Sequence, residues 1–137
     1  MADAKHTEAY WRDKLSPEDF RVCRLKGTEA PFSGKWLNNP LSGVYSCVCC
    51  GAALFSSSDK FDSACGWPAF GEVIASGQVA LHADHSHGMV RTEVVCAHCD
   101  AHLGHVFDDG PPPSGQRYCI NSVCLSFTPE ERRKAKE

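Results

Sequence analysis

The chain has 137 residues, a formal net charge of −3 and nine cysteines. This length is typical of one domain that buries roughly 65–70% of its unfolded-chain surface, and so small a negative charge argues against nucleic acid or an anionic membrane as the main partner. No apolar run is long enough to span a bilayer, and the N-terminal stretch MADAKHTEAYWRDKL lacks the apolar core of a secretory signal. We therefore expect one domain over residues 1–137, located in the cytosol, with the nucleus as the alternative.

The N-terminal segment, residues 1–26, is predicted to be helical. Ser16 is a typical N-cap, Pro17 suits the first helical position, and two acids follow in the first turn. Gly27 can end this helix.

From Thr28 onward, the sequence predicts short strands. Glycine and proline interrupt the chain every few residues, and the alternating segments 89–96 and 117–127 have the pattern of strands. The stretch DGPPPSG, residues 109–115, predicts a loop between two strands. Residues 128–137 are predicted to form a charged, solvated tail.

The cysteines need an explanation other than a secreted disulfide scaffold, because a reducing compartment favours metal ligation or thiol chemistry. Two segments, CVCCGAAL at 47–54 and CAHCDAHL at 96–103, share the pattern C-x-x-C-[GD]-A-x-L. Two such turns, each presenting two thiolates, supply the four tetrahedral ligands of one structural zinc ion per chain. The predicted ligands are Cys47, Cys50, Cys96 and Cys99.

A rival set of ligands has workable spacing. Cys96, Cys99, His102 and His105 would also give four donors, but this set leaves the first C-x-x-C segment unexplained. In the preferred set, Cys49 lies between two ligands and does not bind the metal.

The segment RYCINS, residues 117–122, places a cysteine between an arginine and an asparagine. In a strand, side chains at i and i+2 share one face, so Arg117, Cys119 and Asn121 would point together. A cationic neighbour stabilises the thiolate, which is the form that attacks electrophiles. Cys119 is therefore a candidate nucleophile, and a buried cysteine that only packs in the core is the other interpretation of the same pattern.

Several motifs together resemble those of the type B methionine sulfoxide reductases, over residues 26–127. Besides the two C-x-x-C segments, they are KGTE, PFSG, CGWP, SHGM, HLGHVF and RYCINS. The resemblance implies a mainly β fold of two packed antiparallel sheets, β-tent-like, with short N-terminal helices and a zinc site away from the active centre. It also implies an oxidoreductase of protein repair under oxidative stress, which reduces methionine-R-sulfoxide in oxidised proteins.

The resemblance assigns roles to individual residues. Cys119 matches the nucleophile, and Cys65, in CGWP, matches the resolving cysteine that forms a disulfide with it, which a thioredoxin-like reductant recycles. Trp67 matches the ring that contacts the substrate methyl group, and Phe107 is a second predicted substrate contact. The matching polar groups around the sulfoxide oxygen and the nucleophile are His102, His105, Asn121 and Arg117.

These residue types suit the chemistry that the resemblance implies. A thiolate must attack sulfur while the sulfoxide oxygen gains a proton, because the unprotonated oxygen is a poor leaving group. His102 or His105 should therefore be protonated or act through water. Simpler interpretations remain for the same positions: a hydrogen-bonded strand histidine, a buried strand asparagine at Asn121, and a core tryptophan at Trp67.

Two further alternatives follow from the cysteines. Cys23 is the reserve resolving cysteine, because some members of the family resolve through their N-terminal region, whereas Cys124 points away from Cys119 if the strand is regular. A zinc-stabilised β-tent module that binds a partner without catalysis would need the zinc ligands but not Cys65 or Cys119. We expect a monomer whose partners are oxidised proteins and a thioredoxin-like protein.

Overall fold

The computed structural model describes residues 7–61, 66–85, 88, 90–112 and 114–129. Within these residues two short helices precede nine strands. The helices are α1, Glu8–Lys14, and α2, Pro17–Cys23. The strands are β1, Gly43–Cys47; β2, Ala53–Ser56; β3, Lys60–Phe61; β4, Ala69–Phe70; β5, Val79–Asp84; β6, Arg91–Cys96; β7, His102–Phe107; β8, Arg117–Ile120; and β9, Leu125–Pro129.

Helix α2 begins where the sequence predicts. The Ser16 hydroxyl accepts a hydrogen bond from the Asp19 N–H, and Pro17 occupies the first turn. The prediction that Gly27 ends the helix is wrong, because the helix ends at Cys23. Gly27 instead donates its N–H to the Arg21 carbonyl at 2.9 Å, and this close return of the chain leaves no room for a Cβ.

All strand pairs are antiparallel, and they form two sheets. The smaller sheet has the order β2-β1-β9, and the larger has the order β3-β4-β8-β7-β6-β5. The predicted mainly β fold with two antiparallel sheets and short N-terminal helices is confirmed. No helix within the described residues is both long enough and apolar enough to cross a membrane.

Aromatic side chains join the two sheets. Tyr45 and Phe55 of the small sheet contact Phe70 of the large sheet, with ring centroids 5.2 Å and 4.5 Å apart. All three rings are fully buried. Aromatic pairs at these separations contribute packing energy beyond the area that they bury, so this cluster fixes how the sheets face each other.

The prediction of one continuous strand over 117–127 is wrong. This segment divides into β8 of the large sheet, a 3-10 turn at Ser122–Cys124, and β9 of the small sheet. The turn forms because distant groups bind it: the Val123 N–H donates to the Glu29 carboxylate, and the Ser122 hydroxyl accepts from the Trp36 N–H. The chain thereby passes from one sheet to the other directly after the RYCI segment.

The other predicted bounds shift by a few residues. The strand predicted over 89–96 begins at Arg91, and residue 89 lies outside the described residues. The predicted tail, 128–137, begins too early, because Thr128 and Pro129 pair with β1; residues 130–137 lie outside the described residues. The predicted loop is confirmed over its described residues by a hydrogen bond from the Gly110 N–H to the Gly115 carbonyl.

Candidate active site and metal centre

The four cysteines of the two C-x-x-C segments meet in the structure. Each segment begins on the last residue of a strand, Cys47 of β1 and Cys96 of β6, and the second cysteine follows in the next turn. The four Sγ atoms all lie within 4.8 Å of one another. The predicted ligand set is therefore assembled, and it joins the small sheet to the large one.

The repeated sequence pattern produces the same backbone hydrogen bonds twice. In the first turn, the Gly51 N–H donates to the Cys47 carbonyl at 2.8 Å; in the second, the Asp100 N–H donates to the Cys96 carbonyl at 2.9 Å. Gly51 and Asp100 both take left-handed φ values, 85° and 65°. Glycine adopts this conformation freely and aspartate tolerates it, which explains why the fifth position of the pattern carries these two residue types.

The sulfur spacing fits a tetrahedral metal. Cys47 Sγ lies 3.7 Å from Cys99 Sγ, and Cys50 Sγ lies 3.6 Å from Cys96 Sγ. A zinc ion with four thiolates at about 2.3 Å sets neighbouring sulfurs about 3.8 Å apart. The donor set and the spacing thus both suit zinc, and four sulfur ligands leave no open position for substrate.

The rival set with two histidines does not form among the described residues, because the sulfurs of Cys96 and Cys99 lie with those of Cys47 and Cys50, and the two histidine rings contact carboxylates elsewhere. Nδ1 of His102 lies 2.7 Å from Oε2 of Glu93, and Nε2 of His105 lies 2.7 Å from Oδ2 of Asp84. Both carboxylates are buried.

A separate cavity of about 140 Å³ surrounds Cys119. We call it the reaction pocket. It is lined by Thr28, Trp67, Arg91, Gly104, His105, Phe107, Arg117, Cys119 and Asn121. Every predicted catalytic or substrate-binding residue lines it except His102, which lies behind His105, and Cys65, which lies outside the described residues.

Arg117 contacts the sulfur of Cys119 directly. Its Nη1 donates to Cys119 Sγ at 2.9 Å, as expected for neighbours on one strand face. The other edge of the guanidinium binds Asp109 through Nε at 2.7 Å and Nη2 at 3.1 Å, and the group stacks over Phe107. The bond to Asp109 raises the pKa of Arg117. A fixed cation therefore touches the thiol, and this arrangement stabilises a thiolate.

A β-bulge brings His102 and His105 together. Three residues apart on a regular strand, they would point to opposite faces. The pairing of β7 with β6 shifts between Val94 and Val95, which leaves Leu103 as the extra residue. The two imidazole rings consequently lie 5.5 Å apart on the same side of the strand.

The two histidines differ in exposure to the pocket and in charge. His102 is 3% exposed, and burial lowers its pKa despite the neighbouring Glu93 carboxylate, so the ring is neutral at neutral pH. His105 lines the reaction pocket and pairs directly across the sheet with Cys119. This close pairing needs Gly104, because a Cβ at that position would overlap the Cys119 carbonyl.

Glu29 holds two further pocket residues through its backbone. Its carbonyl accepts a hydrogen bond from Trp67 Nε1 at 3.1 Å, and its N–H donates to Asn121 Oδ1 at 3.0 Å. Asn121 lies just past the end of β8, so the strand alternation that was predicted to place it does not apply. Its side chain also donates to the Leu103 carbonyl, and the turn rather than the strand directs it to the pocket.

Two further cysteines lie together in the core. Cys23 Sγ donates to Cys124 Sγ at 3.3 Å, and Cys124 Sγ donates to the His102 carbonyl. The contact with Cys124 raises the pKa of Cys23, and burial raises that of Cys124. Both thiols are therefore protonated and shielded from solvent.

Sequence reasoning missed the carboxylates that hold the site. Asp84, Glu93 and Asp109 lie on other strands or in a loop, and they reach their partners only in the folded chain. The one signal in the sequence is Glu93, an acid that strand alternation in β6 places on the same face as the buried Val95. A buried acid on an inward face indicates a specific partner.

Comparison with known proteins identifies the family. A family model described as the SelR domain matches residues 15–129. The peptide methionine sulfoxide reductase MsrB of Pseudomonas fluorescens is 60% identical over 129 residues, which cover 94% of this chain and 99% of that protein. The MsrB proteins of Pseudomonas putida and Pseudomonas savastanoi pv. phaseolicola are 59% and 60% identical over 131 residues, which cover 96% of this chain and 100% of each relative. By its domain and by these identities, the chain belongs to the type B peptide methionine sulfoxide reductases and is an oxidoreductase of that family.

Proposed function

We propose that the chain reduces methionine-R-sulfoxide in oxidised proteins to methionine, with Cys119 as the nucleophile. The observation that carries this proposal is the contact between Arg117 and the Cys119 sulfur, inside a pocket that also contains Trp67 and His105. The pocket supplies a nucleophile, a cation, an imidazole and an aromatic face.

The first step has the net effect of moving one oxygen from the methionine sulfur to the cysteine sulfur. The Cys119 thiolate attacks the sulfoxide sulfur and forms an S–S bond, the sulfoxide oxygen takes up two protons, and the S–O bond breaks with release of water. A water molecule then attacks the Cys119 sulfur and loses a proton, and the S–S bond breaks. Methionine leaves with its sulfur reduced by two electrons, and Cys119 becomes a sulfenic acid. The Arg117 guanidinium stabilises the thiolate before the attack.

His105 is the better candidate for the acid. It lines the reaction pocket, whereas His102 is buried behind it and neutral. Asp84 holds Nε2 of His105, so the carboxylate would fix the orientation of the ring and leave Nδ1 to serve the sulfoxide oxygen. His102 and Glu93 support the ring from behind.

Trp67 supports a preference for one epimer. Its ring is oriented by the hydrogen bond to the Glu29 carbonyl, and it would receive the substrate methyl group while the oxygen faces the polar side of the pocket. Inverting the configuration at sulfur exchanges the methyl group and the oxygen. The S epimer would then place its oxygen against an apolar face, where it lacks a hydrogen-bond donor.

A second thiol must convert the sulfenic acid to a disulfide before further oxidation. The family resemblance assigns this role to Cys65. The burial and raised pKa values of Cys23 and Cys124 make them poor nucleophiles, which favours Cys65 as the resolving residue. A thioredoxin-like dithiol would then reduce the disulfide and complete the cycle.

Zinc is the metal that the four-cysteine cluster fits best. Cys47, Cys50, Cys96 and Cys99 would hold it, and it would stabilise the junction between the sheets without taking part in the reaction.

The test is a coupled assay with the two separated epimers of a methionine sulfoxide peptide. We expect turnover of the R epimer alone. Trp67→Ala should lower kcat/KM at least a hundredfold, which is on the order of the loss when a well-placed contact is removed. Trp67→Phe should give an intermediate value, because it keeps an aromatic face. Comparable turnover of both epimers by the wild-type enzyme would contradict the proposed stereochemistry.

A further inference from the structure

A second and larger cavity adjoins the reaction pocket. It has a volume of about 630 Å³, against about 140 Å³ for the reaction pocket, and Trp67 lines both. We call it the flanking cleft and define it by the described residues Phe32, Asn38, Leu41, Ser58, Lys60 and Trp67, which lie around it.

The two volumes suit different parts of one substrate. The reaction pocket has the volume of about five water molecules, which accommodates one side chain but no polypeptide backbone. Residues next to an oxidised methionine must therefore lie outside it. The flanking cleft falls within the usual range of about 300–1,000 Å³ for ligand sites, so it has room for a short peptide segment.

The lining of the flanking cleft suits a peptide rather than a charged small molecule. Phe32 is 68% exposed and Leu41 is 49% exposed, which is unusual for large apolar side chains. Asn38 is exposed and offers an amide donor and acceptor. Lys60 is the one charged residue among the described residues that line the cleft, and its Nζ donates to the Leu37 carbonyl.

Phe32 is held at the rim in a conformation that phenylalanine rarely adopts. Its φ is 64°, in the left-handed region that disfavours bulky side chains, and its N–H donates to the Gly66 carbonyl at 2.7 Å. Such backbone persists where the surrounding structure enforces it, and it occurs preferentially at functional sites. The hydrogen bond ties the rim of the cleft to the residue that precedes Trp67.

From these observations we propose that the flanking cleft binds the polypeptide segment on one side of the oxidised methionine, with Phe32 and Leu41 contacting an apolar neighbour of that residue. These two side chains are then specificity-determining contacts that distinguish a peptide-linked substrate from a single residue. The inference rests on the proposed function, because it assumes that the sulfoxide occupies the reaction pocket. To the proposed function it adds a second binding surface, which contacts the substrate polypeptide on only one side of the oxidised methionine.

The experiment compares three R-sulfoxide substrates. One is N-acetyl-methionine sulfoxide methylamide; the others extend it by three residues, Ala-Leu-Ala, on the N-terminal side or on the C-terminal side. Because the cleft lies to one side of Trp67, one extension should raise kcat/KM and the other should not. The enzymes are the wild type, Leu41→Ala, Phe32→Ala and the control Leu81→Ala. Leu81 is a suitable control because it lies on β5, away from the residues that line the cleft, and is 50% exposed, against 49% for Leu41.

Leu41→Ala and Phe32→Ala should each reduce the advantage of the favoured extension by about fivefold, as expected for loss of a partly buried apolar contact. Leu81→Ala should leave that advantage unchanged. Equal benefit from both extensions, or an advantage that survives in Leu41→Ala and Phe32→Ala, would overturn the inference and leave the proposed function intact. A wild-type enzyme that reduces none of the three substrates would overturn the proposed function, and this inference with it.

Discussion

Cys119, His105 and His102 owe their positions in the site to different features of their strands. The contact between Arg117 and Cys119 follows from strand alternation, because both residues lie within β8. The placement of His102 beside His105 depends on a bulge, which the alternation of a regular strand does not predict. Their carboxylate partners come from neighbouring strands, so the pairing depends on the sheet register.

The neutral state of His102 has a consequence for stability. Burial holds its pKa below the usual value for histidine, so between the lowered pKa and about 6.5 the unfolded chain binds more protons than the folded chain. The free energy of unfolding should therefore be insensitive to His102 above about pH 6.5 and should fall as the pH decreases below that value. Urea unfolding between pH 5 and 8 measures this dependence.

The control is His102→Asn, which keeps a donor near Glu93 but does not titrate. Other groups contribute equally to both proteins, so the difference between the two stability curves isolates the histidine. Parallel curves below pH 6.5 would show that His102 does not carry the lowered pKa.

At the scale of elements, the turn after β8 positions the pocket. The sequence predicts one strand over 117–127 because its alternation continues without a break, but Glu29 and Trp36 bind the turn from far along the chain. Local pattern cannot report such contacts. The repeated C-x-x-C turns are the opposite case, because each is closed by hydrogen bonds within its own segment, and their sequence therefore predicts both the turns and the sulfur cluster.

Glu29 offers a test of the turn. It is 3% exposed, and burial raises the pKa of its carboxyl, so the charged form destabilises the fold at pH 7. Glu29→Gln keeps an acceptor for the Val123 N–H and carries no charge. We expect its free energy of unfolding at pH 7 to equal or exceed that of the wild type. This difference should shrink as the pH falls, because the wild-type carboxyl then becomes protonated.

The paired variant Glu29→Ala removes that acceptor and leaves the Val123 N–H without its partner. It should lower the free energy of unfolding by about 1–3 kcal/mol and reduce activity, because the Trp67 and Asn121 contacts lie on the same segment. If the alanine and glutamine variants were equally stable, the side-chain oxygen that accepts from the Val123 N–H would not be holding the turn.

The metal centre can be tested by substituting one ligand cysteine and, as the control, one cysteine that is not a ligand. Cys96→Ser should lose the bound zinc and lower the melting temperature, because the cluster links both sheets and metal binding adds to folding energy. Cys49→Ala alters a buried cysteine between two ligands and should keep one zinc per chain. Metal analysis and thermal unfolding give both results, and full zinc in Cys96→Ser would disprove the ligand assignment.

At the scale of the whole molecule, family motifs predicted more than periodicity did. The resemblance over 26–127 implied the two sheets and six of the residues that line the reaction pocket, whereas the repeated C-x-x-C spacing predicted the metal cluster. The SelR match over 15–129 includes the range of that resemblance. Which strands belong to which sheet was not predictable, because β8 and β9 are neighbours in sequence but lie in different sheets. Long-range pairing decides that division.

One substitution can separate reduction of the substrate from recycling of the enzyme through a disulfide. Cys65→Ser should turn over with dithiothreitol, because a small thiol can reach the Cys119 sulfenic acid, but it should slow at least tenfold with thioredoxin, which acts on a disulfide. Cys124→Ser, which alters a core thiol, should retain activity with both reductants. Full activity of Cys65→Ser with thioredoxin would transfer the resolving role to another cysteine.

A single-turnover measurement without reductant tests whether Cys119 is the nucleophile. Reduced enzyme is mixed with excess R-sulfoxide peptide, and methionine is counted per chain together with the mass of the RYCINS peptide after blocking free thiols. We predict one methionine per chain from the wild type with Cys119 oxidised, and none from Cys119→Ser. Methionine release by Cys119→Ser, or release by the wild type while Cys119 remains a free thiol, would contradict the mechanism.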